Sequence, residues 1–278
     1  MIKRIFILLI LFIFALPATA QNIDDFEGTI EENPNPPDIY QLIDYNKSNN
    51  TKNGLSPHKA NYIFPFIYSC IDTRDSRKNY ETKFQVSLKQ RLLKFYGWAF
   101  YFAYTQKSFW QLYDMDDSRP FRENNFNPEL FLRTKMWSGF RVDSGIEHES
   151  NGRELPYSRG WNRIYISPYF ENDMMIVNIK TWYRIKVNGD DNPYIHRYYG
   201  YSELGFTLKF SELRNTYLSI MGRYNPYYNR GTAEVTLTVP LYLSSMSFMA
   251  QYWDGYGESL IDYDVKQRKI GIGLNFSR

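Results

Sequence analysis

Five stretches of this sequence alternate apolar and polar residues without interruption, and that period of two narrows the possible folds more than any other feature. Phe84, Val86 and Leu88 alternate with Lys83, Gln85, Ser87 and Lys89, and Val177, Ile179, Thr181, Tyr183 and Ile185 with Asn178, Lys180, Trp182 and Arg184. Leu204, Phe206, Leu208 and Phe210 alternate with Glu203, Gly205, Thr207 and Lys209. Ala233, Val235, Leu237, Val239, Leu241 and Leu243 do so with Thr232, Glu234, Thr236 and Thr238, and Ile270, Ile272, Leu274 and Phe276 with Lys269, Gly271, Gly273 and Asn275. Successive side chains of a strand point to opposite faces, so each stretch predicts a strand with one apolar and one polar face.

Turn-forming runs punctuate the pattern at Asp72 to Ser76, Asn188 to Pro193, Asn225-Pro226 and Asn229-Arg230-Gly231. The segments recur roughly every 15 to 20 residues, which leaves room for about twelve strands between residues 58 and 278. Strands of about ten residues suit a tilted bilayer crossing, whereas sandwich strands run to about five or six. Lys, Arg, Glu and Gln recur along the polar face, as in a barrel lumen. Tyr198, Tyr199, Tyr201, Tyr227 and Tyr228 fall near expected strand ends, where aromatic girdles sit. Pro240 marks a bulge or the end of its strand. The expected fold is all-β: a transmembrane antiparallel β-barrel of about twelve strands.

Composition removes the competitors. The mean hydropathy of −0.52 fits no bundle of membrane-spanning helices. Cys70 is the single cysteine, so no intrachain disulfide framework exists. The one long apolar run is N-terminal: Lys3 and Arg4 precede Ile5 to Leu16, and Ala18-Thr19-Ala20 follows as a small-x-small cleavage site. Residues 1–20 therefore read as a secretory signal peptide, with Gln21 the first mature residue. Its removal leaves 31 basic against 30 acidic side chains, a balance that argues against nucleic-acid binding. Residues 21–57, with Asn33-Pro34-Asn35-Pro36-Pro37 and a polar run from Asn46 to Asn53, read as a loop-rich exported segment ahead of the barrel at 58–278.

Several familiar motifs fail on their spacing. Gly200 to Leu204 lacks the final glycine of a nucleophile elbow and lies in a strand pattern. His148-Glu149 has no second histidine at position 152. A calcium loop starting at Asp114 would need Gly and Glu where Arg119 and Asn125 stand.

The run Gly145 to Arg153, followed by Ser158 to Arg163, is more informative. In strand register Phe140, Val142, Ser144, Ile146, His148 and Ser150 share the apolar face, opposite Arg141, Asp143, Glu147 and Glu149. Asn162, Ile164 and Ile166 share a face on the next strand, opposite Arg163 and Tyr165. If the two strands are neighbours, Ser150 lies within reach of His148, and Asn162 can meet the other imidazole nitrogen. That set contains a nucleophile, a base and an orienter, the logic of a serine hydrolase. Taken singly, a histidine or a serine on a strand is more often a tolerated interface residue. Three polar groups converging on a lipid-facing surface are costly unless paired.

At these residues the chain resembles the outer-membrane phospholipase A family of calcium-dependent barrel enzymes. The matching segments run in order: Lys83 to Leu88, Tyr104 to Leu112, Ser118 to Glu123, His148-x-Ser150-Asn151-Gly152-Arg153, Ser158-Arg159-x-Trp161-Asn162-Arg163, Asp190 to Pro193, and Gly255 to Tyr263. The resemblance implies a twelve-stranded barrel whose active site faces the outer leaflet and which is active as a homodimer. It implies Ser150 as nucleophile, His148 as base and then acid, Asn162 as orienter, and the Gly152 N–H as part of the oxyanion hole. It further implies Ca2+ held by the Arg153 carbonyl, the Ser158 hydroxyl and a Ser118 carbonyl from the second subunit, with Gln106 hydrogen-bonding across the dimer. Two positions depart from the family pattern. Leu155, beside Glu154, stands where the family has an acidic residue before the proline of the active-site turn, although Asp190 is retained. The chain also ends Phe276-Ser277-Arg278 instead of in an aromatic residue.

The expected activity is hydrolysis of acyl esters of membrane phospholipids and lysophospholipids, in the bacterial outer membrane. The alternatives are a passive pore, which would conduct without lipase activity, and a structural barrel displaying loops to a partner.

Overall fold

The computed structural model describes residues 55–71, 77–186, 191–210, 213, 215–241 and 246–276. The expected signal peptide, residues 21–54, Leu243, Asp190 and the turn at Asp72 to Ser76 lie outside them. The strands are β1 (Leu55–Pro57), β2 (Tyr62–Ser69), β3 (Tyr80–Phe95), β4 (Trp98–Trp110), β5 (Phe121–Trp137), β6 (Phe140–Ser150) and β7 (Gly160–Glu171). They continue as β8 (Met175–Ile185), β9 (Ser202–Phe210), β10 (Thr216–Asn225), β11 (Arg230–Pro240), β12 (Ser247–Gly255) and β13 (Gln267–Asn275), with one helical turn, α1 (His196–Tyr199), before β9.

Each strand from β2 to β13 pairs antiparallel with the next, and β13 pairs back onto β2, closing a twelve-stranded barrel. The short β1 lies against β3 at Gln90 to Leu88, end to end with β2, which covers Gln85 to Tyr80. The two pieces therefore occupy one place in the wall. Closure leaves no sheet edge, so ladder partners surround the ring, as a hydrocarbon medium demands. Pro240 ends β11, and the irregularity between Phe64 and Ile67 absorbs Pro65.

Burial is inside out relative to a soluble protein. Lys83, Ser87, Lys89, Thr105, Glu129, Glu147, Arg163, Thr207, Thr236 and Lys269 are buried in the lumen, while Val86, Ile146, Ile166, Leu204, Ile270 and Ile272 are about half exposed on the outer wall. The apolar positions of the alternating stretches thus face lipid. Many lumenal charges are paired: Arg122 with Glu81 at 2.7 Å, Lys269 with Glu258 at 2.6 Å, and Arg163 and Lys180 each with Glu147 at 3.0 Å. An unpaired charge at such depth would cost several kcal/mol, so the pairing is what makes a polar interior tenable.

The two ends differ. Two to three residues join β3 to β4, β5 to β6 and β7 to β8, whereas the connections β4–β5, β6–β7, β8–β9 and β12–β13 are long. Outer-membrane barrels carry short turns on the periplasmic side and longer loops outside. The long-loop end is therefore extracellular, and the β6–β7 loop belongs to it.

The tyrosines expected at a girdle divide. Tyr201 and Tyr227 are exposed, but Tyr198 and Tyr199 lie on α1, and Tyr199 is buried edge-on against Trp161 at 5.0 Å. Tyr198 packs on Tyr256 and Tyr263 of the β12–β13 loop. The helical turn tucks both rings inward, because residues 195–199 pack onto Trp161 and the β12–β13 loop instead of continuing the strand. At the opposite end Phe95, Tyr96 and Trp137 are exposed, and Trp137 stacks on Phe140 at 4.3 Å.

Candidate active site

The site begins with a register. β6 pairs β7 so that His148 lies opposite Asn162 and Ser150 opposite Gly160. All four project outward, because the intervening Glu147, Trp161 and Arg163 are buried toward the lumen. Two directly opposed side chains approach closely, and His148 Nδ1 lies 2.9 Å from Asn162 Oδ1. The amide oxygen only accepts, so Nδ1 carries the proton and Nε2 is left with a lone pair. Ser150 stands two residues along the same face.

The rung through Ser150 continues across the wall as Phe126, Gln106 and Val86. Gln106 accepts from the Tyr104 hydroxyl and donates to Ser108 Oγ at 3.2 Å. The neighbouring outward positions Leu88, Phe102, Leu130, Ile146 and Ile164 give the candidate site an apolar floor on the lipid side. Behind it, Glu149 accepts from Trp161 Nε1 and Arg163 at 3.0 and 2.9 Å, so this lumenal carboxylate is paired with a lumenal cation.

Gly160 has no side chain for a steric reason. A Cβ there would sit 3.3 Å from Ser150 Cβ and 3.8 Å from His148 Cε1, inside the space between the two. Gly152 has φ of +64°, and a Cβ would meet the Phe126 ring at 3.3 Å. Its N–H has no acceptor among the described residues, which leaves it available to a developing negative charge.

Asn151 organises the β6–β7 loop, a role that sequence reading missed. Its Oδ1 accepts from the Arg159 and Arg153 N–H groups at 2.9 and 3.3 Å, and its Nδ2 donates to the Tyr157 carbonyl at 2.9 Å. Glu123, fully buried, takes Asn125 Nδ2 at 2.7 Å and the Ile261 N–H at 3.0 Å, and pairs with Arg153 at 3.5 Å. It thereby ties this loop to the β12–β13 loop. From α1's side, Asn192 Oδ1 accepts the Gly160 N–H at 2.9 Å. Asn151 and Asn192 both lie in the matching segments, but no spacing rule marks them.

The residues expected to hold calcium fall in two places. Arg153 and Ser158 share the β6–β7 loop, and Ser118 lies on the β4–β5 loop with no bond to either. Ser118 and Arg119 have φ of +56° and +54°, and Trp110 Nε1 holds the Arg119 carbonyl at 2.9 Å. This turn leaves the Ser118 carbonyl without a donor among the described residues. The Ser158 hydroxyl donates to the Asp191 carboxylate. Among the described residues no three Asp, Glu, His or Cys side chains converge as a metal cluster. A cation at the β6–β7 loop would be held by the Arg153 carbonyl, the Ser158 hydroxyl and Asp191, an all-oxygen set that fits calcium better than zinc, with its nitrogen and sulfur ligation.

The family model described as Phospholipase A1 matches residues 40–276. The chain is 35% identical over 267 residues to the phospholipase A1 of Escherichia coli K12, covering 89% of this chain and 91% of that protein. It is 36% identical over 281 residues to the phospholipase A1 of Salmonella typhimurium, covering 93% and 95%. Among solved structures it matches the calcium-bound outer membrane phospholipase dimer of Salmonella typhi with a TM-score of 0.74 at 35% identity, covering 82% of this chain and 93% of that one. The outer membrane phospholipase A of Escherichia coli gives 0.73 at 34%, with the same coverage.

Proposed function

Because this chain belongs to the phospholipase A1 family, and is therefore a phospholipase of the bacterial outer membrane, we propose that it cleaves acyl esters of phospholipids and lysophospholipids through Ser150, His148 and Asn162. One observation carries the reading: the Nδ1···Oδ1 bond of His148 and Asn162 on the lipid-facing wall, with Ser150 next on that face at its extracellular end.

The chemistry follows from the tautomer. His148 Nε2 is the atom able to take the Ser150 hydroxyl proton as Oγ attacks the acyl carbonyl. The carbonyl oxygen becomes an oxyanion, toward which the free N–H of Gly152 is directed in this reading. Collapse expels the glycerol oxygen, which takes the proton from Nε2 and leaves Ser150 acylated. Water, deprotonated by Nε2, then attacks the acyl carbonyl, and Ser150 leaves with the proton as the fatty acid is released. Asn162 holds the ring and its tautomer, with less support for the imidazolium than a carboxylate would lend.

Calcium, when bound by the Arg153 carbonyl, the Ser158 hydroxyl and Asp191, would supply positive charge to the oxyanion region. The free Ser118 carbonyl is an oxygen that a second subunit can offer, which supports activation by homodimerisation. The apolar floor around Ile146 and Ile164 is suited to the acyl chains.

The test is fatty-acid release from phospholipid micelles by refolded protein, with calcium or chelator, for wild type and Ser150→Ala. Calcium-dependent release abolished by Ser150→Ala is expected. Release that survives the substitution removes Ser150 as nucleophile, and none from folded wild type returns the reading to a passive pore.

A further inference from the structure

Pro128 sits within β5 at a rung where a strand needs an N–H. The pairs Phe126–Ser150 and Glu129–Glu147 set Pro128 opposite His148. The Asn151 N–H points to Arg159, on the β7 side. Backbone groups alternate sides along a strand, so those of His148 point to β5. There its carbonyl would take a ladder bond from residue 128, and proline has none to give. Instead, Asn127 Nδ2 donates to the His148 carbonyl from the lumen at 2.8 Å. The same amide accepts through Oδ1 from Lys59 Nζ at 3.0 Å. Lys59 belongs to the link between β1 and β2, and its own N–H is fixed on Ser87 Oγ at 3.0 Å. An ammonium only donates and a peptide carbonyl only accepts, so these two neighbours dictate which way the amide faces.

We propose that Asn127 is a positioning residue for the hydrolysis, supplying from the lumen the ladder bond that Pro128 removes and thereby holding the His148 backbone, with Lys59 fixing its amide. The proposal rests on His148 as the base. It makes the placement of that base depend on a lumenal side chain and on the N-terminal edge of the barrel. A displacement of about 1 Å at a catalytic group can cost on the order of a hundredfold in rate, so one backbone bond at this residue matters.

The experiment is a rescue. Asn127→Ala, Pro128→Ala and the double variant are refolded into micelles, checked by heat-modifiable gel migration, and assayed for kcat and KM on a phospholipid. Asn127→Ala is expected to lose about tenfold or more in kcat with KM little changed, as a misplaced base would. Pro128→Ala stays near wild type, and the double variant regains most of the loss, because an N–H returned at position 128 takes the orphaned carbonyl. A merely structural asparagine would not be rescued by this second substitution. An undiminished kcat in Asn127→Ala, or a double variant no better than the single, overturns the proposal. If Asn127→Ala does not fold, Lys59→Met replaces it: a smaller loss of kcat, again recovered by adding Pro128→Ala, is expected, and its absence overturns the proposal. His148→Ala separates the two levels of the argument. Full turnover without the imidazole removes the base and the proposal with it, whereas loss in His148→Ala beside an unaffected Asn127→Ala removes only the support.

Discussion

Gly160 stands directly across the β6–β7 ladder from Ser150, and a methyl group at Gly160 would come within 3.3 Å of the Ser150 Cβ. That contact is tight but yields to a shift of a few tenths of an ångström, so the effect should grow with side-chain size. Gly160→Ala is expected to fold and to lose severalfold in kcat, and Gly160→Val to lose on the order of a hundredfold or more, since it fills the space between serine and imidazole. Steady-state lipolysis and the rate of Ser150 labelling by a sulfonyl fluoride measure this. Wild-type labelling in Gly160→Val would show that the cleared space has no role.

Asn162 offers His148 an acceptor without a charge. Asn162→Ala removes the bond that fixes the tautomer and should lower kcat about fivefold, in line with one hydrogen bond of about 1 kcal/mol. Asn162→Asp keeps the acceptor and adds a negative charge beside the imidazolium that forms during the reaction, so it is expected to retain most of the wild-type kcat. Steady-state kcat of the two variants distinguishes the lost acceptor from the added charge. An Asn162→Asp variant as impaired as Asn162→Ala would mean that position 162 does not act as the acceptor for His148.

The outward wall was legible because its pattern is local. Val86, Leu204 and Ile270 alternate with lumenal neighbours, and a period of two needs no knowledge of the partner strand. The facing of His148 and Asn162 was legible for the same reason once β6 and β7 were taken as neighbours. What joins the lumen to the site was not. Glu123 meets Ile261 and Lys59 meets Asn127 across long stretches of chain, through barrel closure alone. Tyr199 looked like a girdle residue because a loop helix that folds inward has no alternating signature. The hydroxyl of Ser158 donates to Asp191, a contact that composition could not show.

Calcium binding should depend on the contact between Ser158 and Asp191. Ser158→Ala removes a neutral oxygen donor, and Asp191→Asn removes the carboxylate that accepts from it. Hard divalent cations rely on anionic oxygen, so Asp191→Asn is expected to weaken calcium binding more than Ser158→Ala, by about tenfold or more. Isothermal titration of the detergent-solubilised protein reads this independently of turnover. Unchanged affinity in both variants would move the calcium site away from the β6–β7 loop.

The β12–β13 loop is held at the mouth by an acid whose ionisation can be tested. Asp262 accepts from Arg77 at 2.8 Å and from Arg122 at 2.7 Å, and Arg122 is shared with Glu81, which also pairs with Lys269. Burial pushes the Asp262 carboxyl up, but Arg77, Arg122 and Lys269 outweigh it and hold the group below the usual carboxylate range. A folded-state pKa below the unfolded one means that the carboxylate stabilises the fold above the unfolded value of about 3.9, and that this stabilisation is lost as pH falls through the lower folded value. Protease resistance of this loop should therefore stay level from neutral pH down to about 5 and fall away below about 4. Asp262→Asn cannot ionise, so it should cut faster at neutral pH and show a weaker acid dependence. Limited proteolysis with an acid-tolerant protease across that range, read by mass at the β12–β13 loop, decides it; identical curves for the two proteins would mean that the pairing with Arg77 and Arg122 does not hold the loop.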